Sequence, residues 1–269
     1  MLWHKPTFII AGVMKGSTSA AAVNLNMHED IYCVTGYWKR KVNAFHNVDT
    51  TSLRGGLGET NSKELDFFNI DENYDKGLAF YTNYFPLNKK HRGESSPNYF
   101  HNNTSKGIKR MYKNFPDLKI IILLRDPITR AFSHWNMIQK QNPSWGSRFY
   151  GLDFDNSTKR AVSSNNILKR SLYYDALSEF VNTFGKKNVY VGIQEQLASN
   201  PLVEYNKIFS FLDLKNLETN PGYKKSFVSS YSDSIEDSTI QWLKEYFKSD
   251  IDKVKLLYPD LDYSLWNSY

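Results

Sequence analysis

The segment Phe8-Ile9-Ile10-Ala11-Gly12-Val13-Met14-Lys15-Gly16-Ser17-Thr18 constrains the fold of this chain more than any other stretch. Phe8 to Val13 are apolar or glycine, the pattern of a strand buried on both faces of a parallel sheet. The Lys-Gly-Ser that follows reads as a tight loop opening a helix over 17–27. Such a junction aims unpaired backbone N–H groups and the positive end of a helix dipole at one point. Lys15 adds a full charge there, so the point suits a phosphate. An ordinary strand–turn–helix with a surface lysine has the same pattern, and a phosphate site needs a second element beside it.

Leu118-Lys119-Ile120-Ile121-Ile122-Leu123-Leu124-Arg125-Asp126-Pro127-Ile128-Thr129-Arg130-Ala131-Phe132-Ser133 supplies one. Its apolar run reads as a second buried strand, with Arg125 at the carboxyl end, where open α/β sheets bind ligands. Asp126 is placed to cap the next helix, and Pro127 fits its first turn. Arg130 and Ser133 share a face of that helix, so Arg125 and Ser133 together suit a second phosphate. The alternative is an arginine paired with Asp126 and a serine facing solvent. A Walker A loop would carry a hydroxyl directly after its lysine to hold magnesium; here Gly16 stands between Lys15 and Ser17. No His, Cys or carboxylate cluster has metal-ligand spacing, so no metal is expected.

The order of patterns is strand 7–13, helix 17–27, an irregular stretch to about 60, a short strand near 64–67, and a helix near 76–85. A strand near 92–96, a helix near 104–114, a strand 118–124 and a helix 127–141 follow. A helix near 172–184, a strand 188–193 and helices near 200–212 and 235–257 close the chain. This alternation predicts an α/β fold of three layers, with a central, mostly parallel sheet flanked by helices. The 269 residues are read as one domain over 1–269. The long excursions at 28–60 and 142–165 are expected to shape an acceptor cleft.

The net charge of +6 is too mild and dispersed for a nucleic-acid binder, and it suits an enzyme that holds a charged nucleotide. No apolar run reaches the roughly 20 residues of a membrane span. The single Cys33 has no internal disulfide partner, which is consistent with a reducing, cytoplasmic setting, and reads as a core residue.

Two phosphate grips without a Walker magnesium ligand resemble the PAPS-dependent sulfotransferases. The motifs are Lys15-Gly16-Ser17-Thr18 for the 5′-phosphosulfate loop and Arg125-Asp126-Pro127-x-x-Arg130-Ala131-x-Ser133 for the 3′-phosphate element. Ser62-Lys63-Glu64-Leu65-Asp66-Phe67-Phe68, Gly93-Glu94-Ser95-Ser96-Pro97-Asn98-Tyr99-Phe100 and Arg170-Ser171-Leu172-Tyr173-Tyr174 are similar to the carbohydrate, heparan-sulfate-type branch. The resemblance implies the P-loop-like fold, PAPS as donor, PAP as product, and a carbohydrate or other hydroxyl-bearing acceptor. It implies that Lys15, Gly16, Ser17, Thr18 and Ser19 hold the 5′ end, and that Arg125 and Ser133 hold the 3′-phosphate. Tyr173, Lys224 and Lys225 are further nucleotide candidates, from a loosely matching Pro221-Gly222-Tyr223-Lys224-Lys225-Ser226 loop.

Sulfuryl transfer is an in-line displacement. The acceptor loses a proton, and charge develops on the leaving phosphate. Lys15 is the candidate for that charge, and the resemblance makes Glu64 the base, with His101 as its best rival. Lys63, Glu94, Ser95, Tyr99 and His101 are expected on the acceptor side. Where the branch often has a lysine after Glu94, this chain has Ser95, which shifts weight to Lys63 or to a residue from another loop. His28 reads as structural. Tyr99, Trp135, Trp145 and Tyr173 are candidates to line the cleft, and Trp242 and Trp266 for packing. A lipid, small-molecule or protein-tyrosine acceptor stays open. So do a nucleotide kinase with a degenerate P-loop, an inactive glycan-binding module on the same fold, and the oligomeric state. The branch's Golgi members carry an anchor and stem, and this sequence resembles a soluble form or an excised catalytic domain.

Overall fold

The computed structural model describes residues 4–35, 64–101, 104–139, 154–155, 166–224 and 235–268. Five parallel strands form one sheet in the order β2-β3-β1-β4-β5: β1 is Phe8–Gly12, β2 Ile31–Cys33, β3 His91–Ser95, β4 Lys119–Leu124 and β5 Val189–Ile193. The register sets Ile9 beside Glu94 and Ile120, and Ile10 beside Ser95 and Ile121.

Successive side chains of a strand point to opposite faces, and the core divides accordingly. Ile9, Ala11, Ile120, Ile122 and Leu124 pack into one cluster, while Phe8, Ile10, Ile121 and Leu123 pack into the other. Helices cover both faces, which explains why β1 and β4 are apolar without alternation. On the second face lie α1 (Thr18–Leu25), through Ala21, Ala22 and Leu25, and the helix Pro201–Phe211, through Tyr205, Ile208 and Phe209. The first face holds α2 (Asp71–Tyr74), α3 (Gly77–Thr82), α4 (Thr104–Asn114), α5 (Pro127–Gln139), α6 (Asn166–Lys169), α7 (Tyr174–Phe184) and α10 (Asp237–Leu257). After β5 come α8 (Gln194–Ser199) and α9, the Pro201–Phe211 helix. No described helix is long and apolar enough to cross a membrane.

The structure corrects several sequence expectations. β2 falls where irregular chain was expected. The short strand near 64–67 is absent because its backbone donors are taken by side chains: Leu65 and Asp66 N–H donate to Ser96 Oγ, both at 3.0 Å, and Phe67 N–H to the Tyr99 hydroxyl at 2.8 Å. Asp66 is left-handed, with φ 46°, which no strand continues. The helix expected near 76–85 is shorter, Gly77–Thr82, and a separate short helix, Asp71–Tyr74, precedes it; Gly77, with φ +84°, starts the second. Helix α7 begins at Tyr174 because the Asp250 carboxylate of α10 takes the N–H groups of Tyr173 and Tyr174, at 2.7 and 3.1 Å. Most of the two long excursions, with Lys39-Arg40-Lys41, His46, Lys63, Trp145 and Lys225, lies outside the described residues.

Candidate active site at the carboxyl edge of the sheet

Between β1 and α1 the chain makes a tight loop. Val13 N–H donates to Leu123 O at 3.1 Å, and Gly16 N–H closes back on Val13 O at 2.9 Å. A side chain on Gly16 would set its Cβ 2.4 Å from Leu123 O, so only glycine lets the loop lie this close to β4. Lys15 and Ser17 both adopt left-handed backbone, φ 70° and 65°, and alternating handedness turns successive N–H groups toward one concavity. The helix itself runs from Thr18, so Ser17 ends the loop rather than starting the helix. Its first-turn N–H groups have no acceptor within the helix.

The second element meets this loop. Arg125 Nη1 donates to Lys15 O at 3.1 Å, and Arg130 Nη1 reaches Met14 O at 3.5 Å. Arg130 is fully buried; it also donates to Ser171 Oγ at 2.5 Å and to Ile167 O. Among the described residues the bonds of these two guanidiniums go to neutral oxygens, and neither is in an ion pair. Burial lowers Arg130 to about 10. Asp126, the alternative partner for Arg125, instead caps α5, taking Ile128 and Thr129 N–H at 3.0 and 2.9 Å. Ser133 is buried on α5.

Tyr173, expected at the nucleotide, is fully buried, and its hydroxyl donates to Arg125 O at 2.7 Å: it braces the arginine from beneath. Trp135 is likewise not at a cleft; it is buried against Phe132 and Phe154. His28 is structural as expected, its ring bridging Lys215 O and Asp30 N–H.

Beside the loop, a cavity of about 360 Å³ opens between α1, α8, α9 and the 220–224 segment. Ser17, Ala20 and Asn24 line it along one face of α1, with Gln194, Tyr205 and Tyr223 among the opposite residues. Asn24 ties the walls together: its amide donates to the Tyr205 hydroxyl at 2.9 Å and to Lys224 O at 3.0 Å, and accepts Lys224 N–H at 2.9 Å. Lys224 therefore lines the cavity.

Across the loop, β3 and the 3₁₀ turn Pro97–Phe100 carry the acidic side. Glu94, Ser95 and Tyr99, expected at the acceptor, are fully buried and support the site from below. Glu94 accepts from Ser96 Oγ, Tyr99 and Tyr81 at 2.5, 2.7 and 2.9 Å. Burial nevertheless pushes it up to about 7. Ser95 Oγ donates to Thr18 O at 3.4 Å, joining β3 to the start of α1. Glu64 lies nearer the surface, before the Phe67–Phe68 turn. The Asn98 amide donates to Glu64 Oε2 at 3.3 Å and Asp66 Oδ2 at 3.0 Å. Burial raises Asp66 to about 6, opposed by Asn98, Asn69 and Arg170. His101 Nε2 is buried without a hydrogen-bond partner. Burial, then Arg170 and Arg130, hold its ring neutral. His134 on α5 is held down to about 2 by burial and by Arg130, Arg170 and Lys15.

Arg130, Arg170, Asp66 and Asn98 are site residues that motif reading left unassigned. The 17, 20, 24 spacing along α1 was the available signal for the cavity wall. Asn98 and Arg170 fall inside motifs quoted above, but nothing in those motifs pairs them; they meet only through packing.

Residues 6–218 match the family model described as "Sulfotransferase family". Among curated proteins, the chain is 28% identical over 215 residues to heparan sulfate glucosamine 3-O-sulfotransferase 5 of Homo sapiens, covering 78% of this chain and 54% of the relative. It is 29% identical over 218 residues to the human heparan sulfate glucosamine 3-O-sulfotransferase 3B1, covering 80% and 48%. The chain thus spans about half the length of the curated relatives it matches. A crystal structure of a sulfotransferase from Alicyclobacillus acidocaldarius superposes with a TM-score of 0.67 at 24% identity, covering 97% of this chain and 98% of that one, a likeness of fold. With the family model spanning the β1–α1 loop, the β4–α5 junction and the whole sheet, the chain belongs to the sulfotransferase family.

Proposed function

We propose that this protein transfers a sulfuryl group from PAPS to a hydroxyl of a carbohydrate acceptor, with Glu64 as base. The observation that carries the reading is the pair Arg125 and Arg130, two cations that converge on carbonyls of the β1–α1 loop and, among the described residues, form no ion pair. Unpaired buried charge is costly, and an anionic ligand offsets that cost. Two phosphates held at separate grips, with a base-sized cavity alongside, suit a 3′,5′-bisphosphorylated adenosine. PAPS supplies the activated sulfuryl group and a phosphate leaving group.

The chain's part is positioning and electrostatics. Lys15 and the N–H groups from Ser17 to Ser19 stabilise charge on the leaving phosphate, while Gly16, its own N–H bonded to Val13 O, shapes the loop. Arg125 and Ser133 hold the 3′-phosphate. The cavity wall of Asn24, Gln194, Tyr205 and Tyr223, with Lys224, takes the nucleoside. Glu64 accepts the acceptor's proton. The human relatives are heparan sulfate glucosamine 3-O-sulfotransferases, which supports a carbohydrate acceptor without selecting it over other hydroxyl-bearing ones.

Calorimetric titration with adenosine 3′,5′-bisphosphate, against ATP with magnesium, tests the donor. Saturable binding of the bisphosphate alone is expected. Binding of magnesium–ATP with none of the bisphosphate would instead indicate a kinase.

A further inference from the structure

Arg170 stands between the two halves of the site. It is 9% exposed, at the end of α6. Its Nη1 donates to Met14 Sδ of the phosphate loop and to Asn98 Oδ1, both at 3.2 Å. The other end of the Asn98 side chain, its amide nitrogen, donates to Glu64 and Asp66. An amide oriented this way has its carbonyl on the cation and its N–H₂ on the carboxylates. If it flipped, its oxygen would face both carboxylates and its NH₂ the guanidinium. The arginine therefore sets the amide, and the amide sets the carboxylates.

We propose that Arg170 is a positioning residue: acting through Asn98, it holds Glu64 and Asp66 in fixed relation to the phosphate loop, so that the base keeps its aim at the donor. This rests on the sulfotransferase reading above for Glu64's role as base, and the contacts themselves do not depend on it. Asp66 is part of the device. Its left-handed backbone and the Ser96 and Tyr99 bonds that flank it lock its own position, and it shares the amide with Glu64. The charged and titratable groups facing Asp66 are Arg170, Glu94 and Tyr99. Those facing Arg170 are Glu64 and Asp66, with His101, His134 and Arg130 on the side of α5. Burial and the neighbouring arginines hold both histidine rings neutral, so the carboxylates are the groups whose charge Arg170 governs.

The test compares the parent with Arg170→Gln, Arg170→Lys and Asn98→Ala, using heparan sulfate and labelled PAPS. Arg170→Gln is expected to lower kcat about ten- to a hundredfold, the usual effect of losing a residue that orients a reacting group, while KM for PAPS changes little. The acid limb of the pH–rate profile moves up by about one unit as the carboxylates lose their cation. Arg170→Lys restores the limb but not the full rate, since it keeps the charge and loses the fork. Asn98→Ala lowers kcat with a smaller movement of the limb. Carboxyl ¹³C NMR, with signals assigned through Glu64→Gln and Asp66→Asn, reads the same titrations without any acceptor. Unmoved carboxylate midpoints in folded Arg170→Gln would overturn the proposal. So would activity and melting temperature that fall together with the limb in place. Failure of the parent to sulfate heparan sulfate would count against the functional reading, while the NMR titration still decides the role of Arg170.

Discussion

The two flanks of β1 treat buried charge in opposite ways. Toward β4, Arg125 and Arg130 spend their hydrogen bonds on carbonyls and a serine, and form no ion pair among the described residues. Toward β3, Glu94 is fully buried, and three hydroxyls from Tyr81, Ser96 and Tyr99 satisfy it. The acidic flank is thus complete within the chain, and it fixes the 64–68 segment in place. The basic flank, on the reading proposed above, is completed by an anionic ligand. Charge that a protein neutralises internally belongs to its scaffold, whereas charge it leaves open belongs to its ligand.

The sharpest way to break this contrast is to remove the central cation. Lys15→Ala should reduce sulfuryl transfer by at least about 10³-fold, the scale of losing a preorganised donor to a developing oxyanion, with the melting temperature unchanged. Glu64→Gln should cost about 10²- to 10⁴-fold, the range of general-base catalysis, while leaving affinity for the bisphosphate intact. Retained transfer in Glu64→Gln would move the base role to another group, and His101 would be next to test.

A smaller effect is expected at the second grip. Arg125→Ala and Ser133→Ala should each weaken bisphosphate binding in calorimetry, the arginine by about 1.5–3 kcal/mol and the serine by about 0.5–1.5 kcal/mol, the usual worth of charged and neutral hydrogen bonds. Because Arg125 forms no ion pair among the described residues, Arg125→Ala should leave stability equal or higher. A marked loss of stability would mean that the charge is structural after all.

The gentlest probe concerns the acidic flank. Glu94 binds its proton more tightly folded (about 7) than unfolded (about 4.5), so its protonated form favours the native state. Its contribution is fully present below pH 4.5 and is lost as pH rises through 7, with a limiting slope of about 1.4 kcal/mol per pH unit for one proton. Glu94→Gln has no such titration. Its stability relative to the parent should therefore improve between pH 5 and 8 in denaturant melts. A gap that stays constant would show that Glu94 does not carry the proton.

The parallel α/β plan was legible because β1 and β4 are each long enough, and apolar enough on both faces, to admit no other placement. Lys15 and Arg125 were legible because the ends of such strands point outward at one edge. The misread 64–67 segment shows the limit. Its residues look strand-like, yet Ser96 and Tyr99, some thirty positions later, claim its backbone donors. Tyr173, Glu94, Ser95 and Tyr99 were read as site residues, but their depth was not readable, since burial depends on what is packed above.

The chain by itself determined which elements form, which strands are covered on both sides, and where unpaired donors and cations emerge, because these follow from local periodicity and backbone geometry. Only the tertiary structure decided which charges are neutralised and which are left open. It alone brought Arg130 of α5 and Arg170 of α6 to Met14, and Asn98 to the carboxylates. The physical reason is range: a hydrogen bond or ion pair acts over a few ångströms, and residues a hundred positions apart reach that distance only once the core has closed.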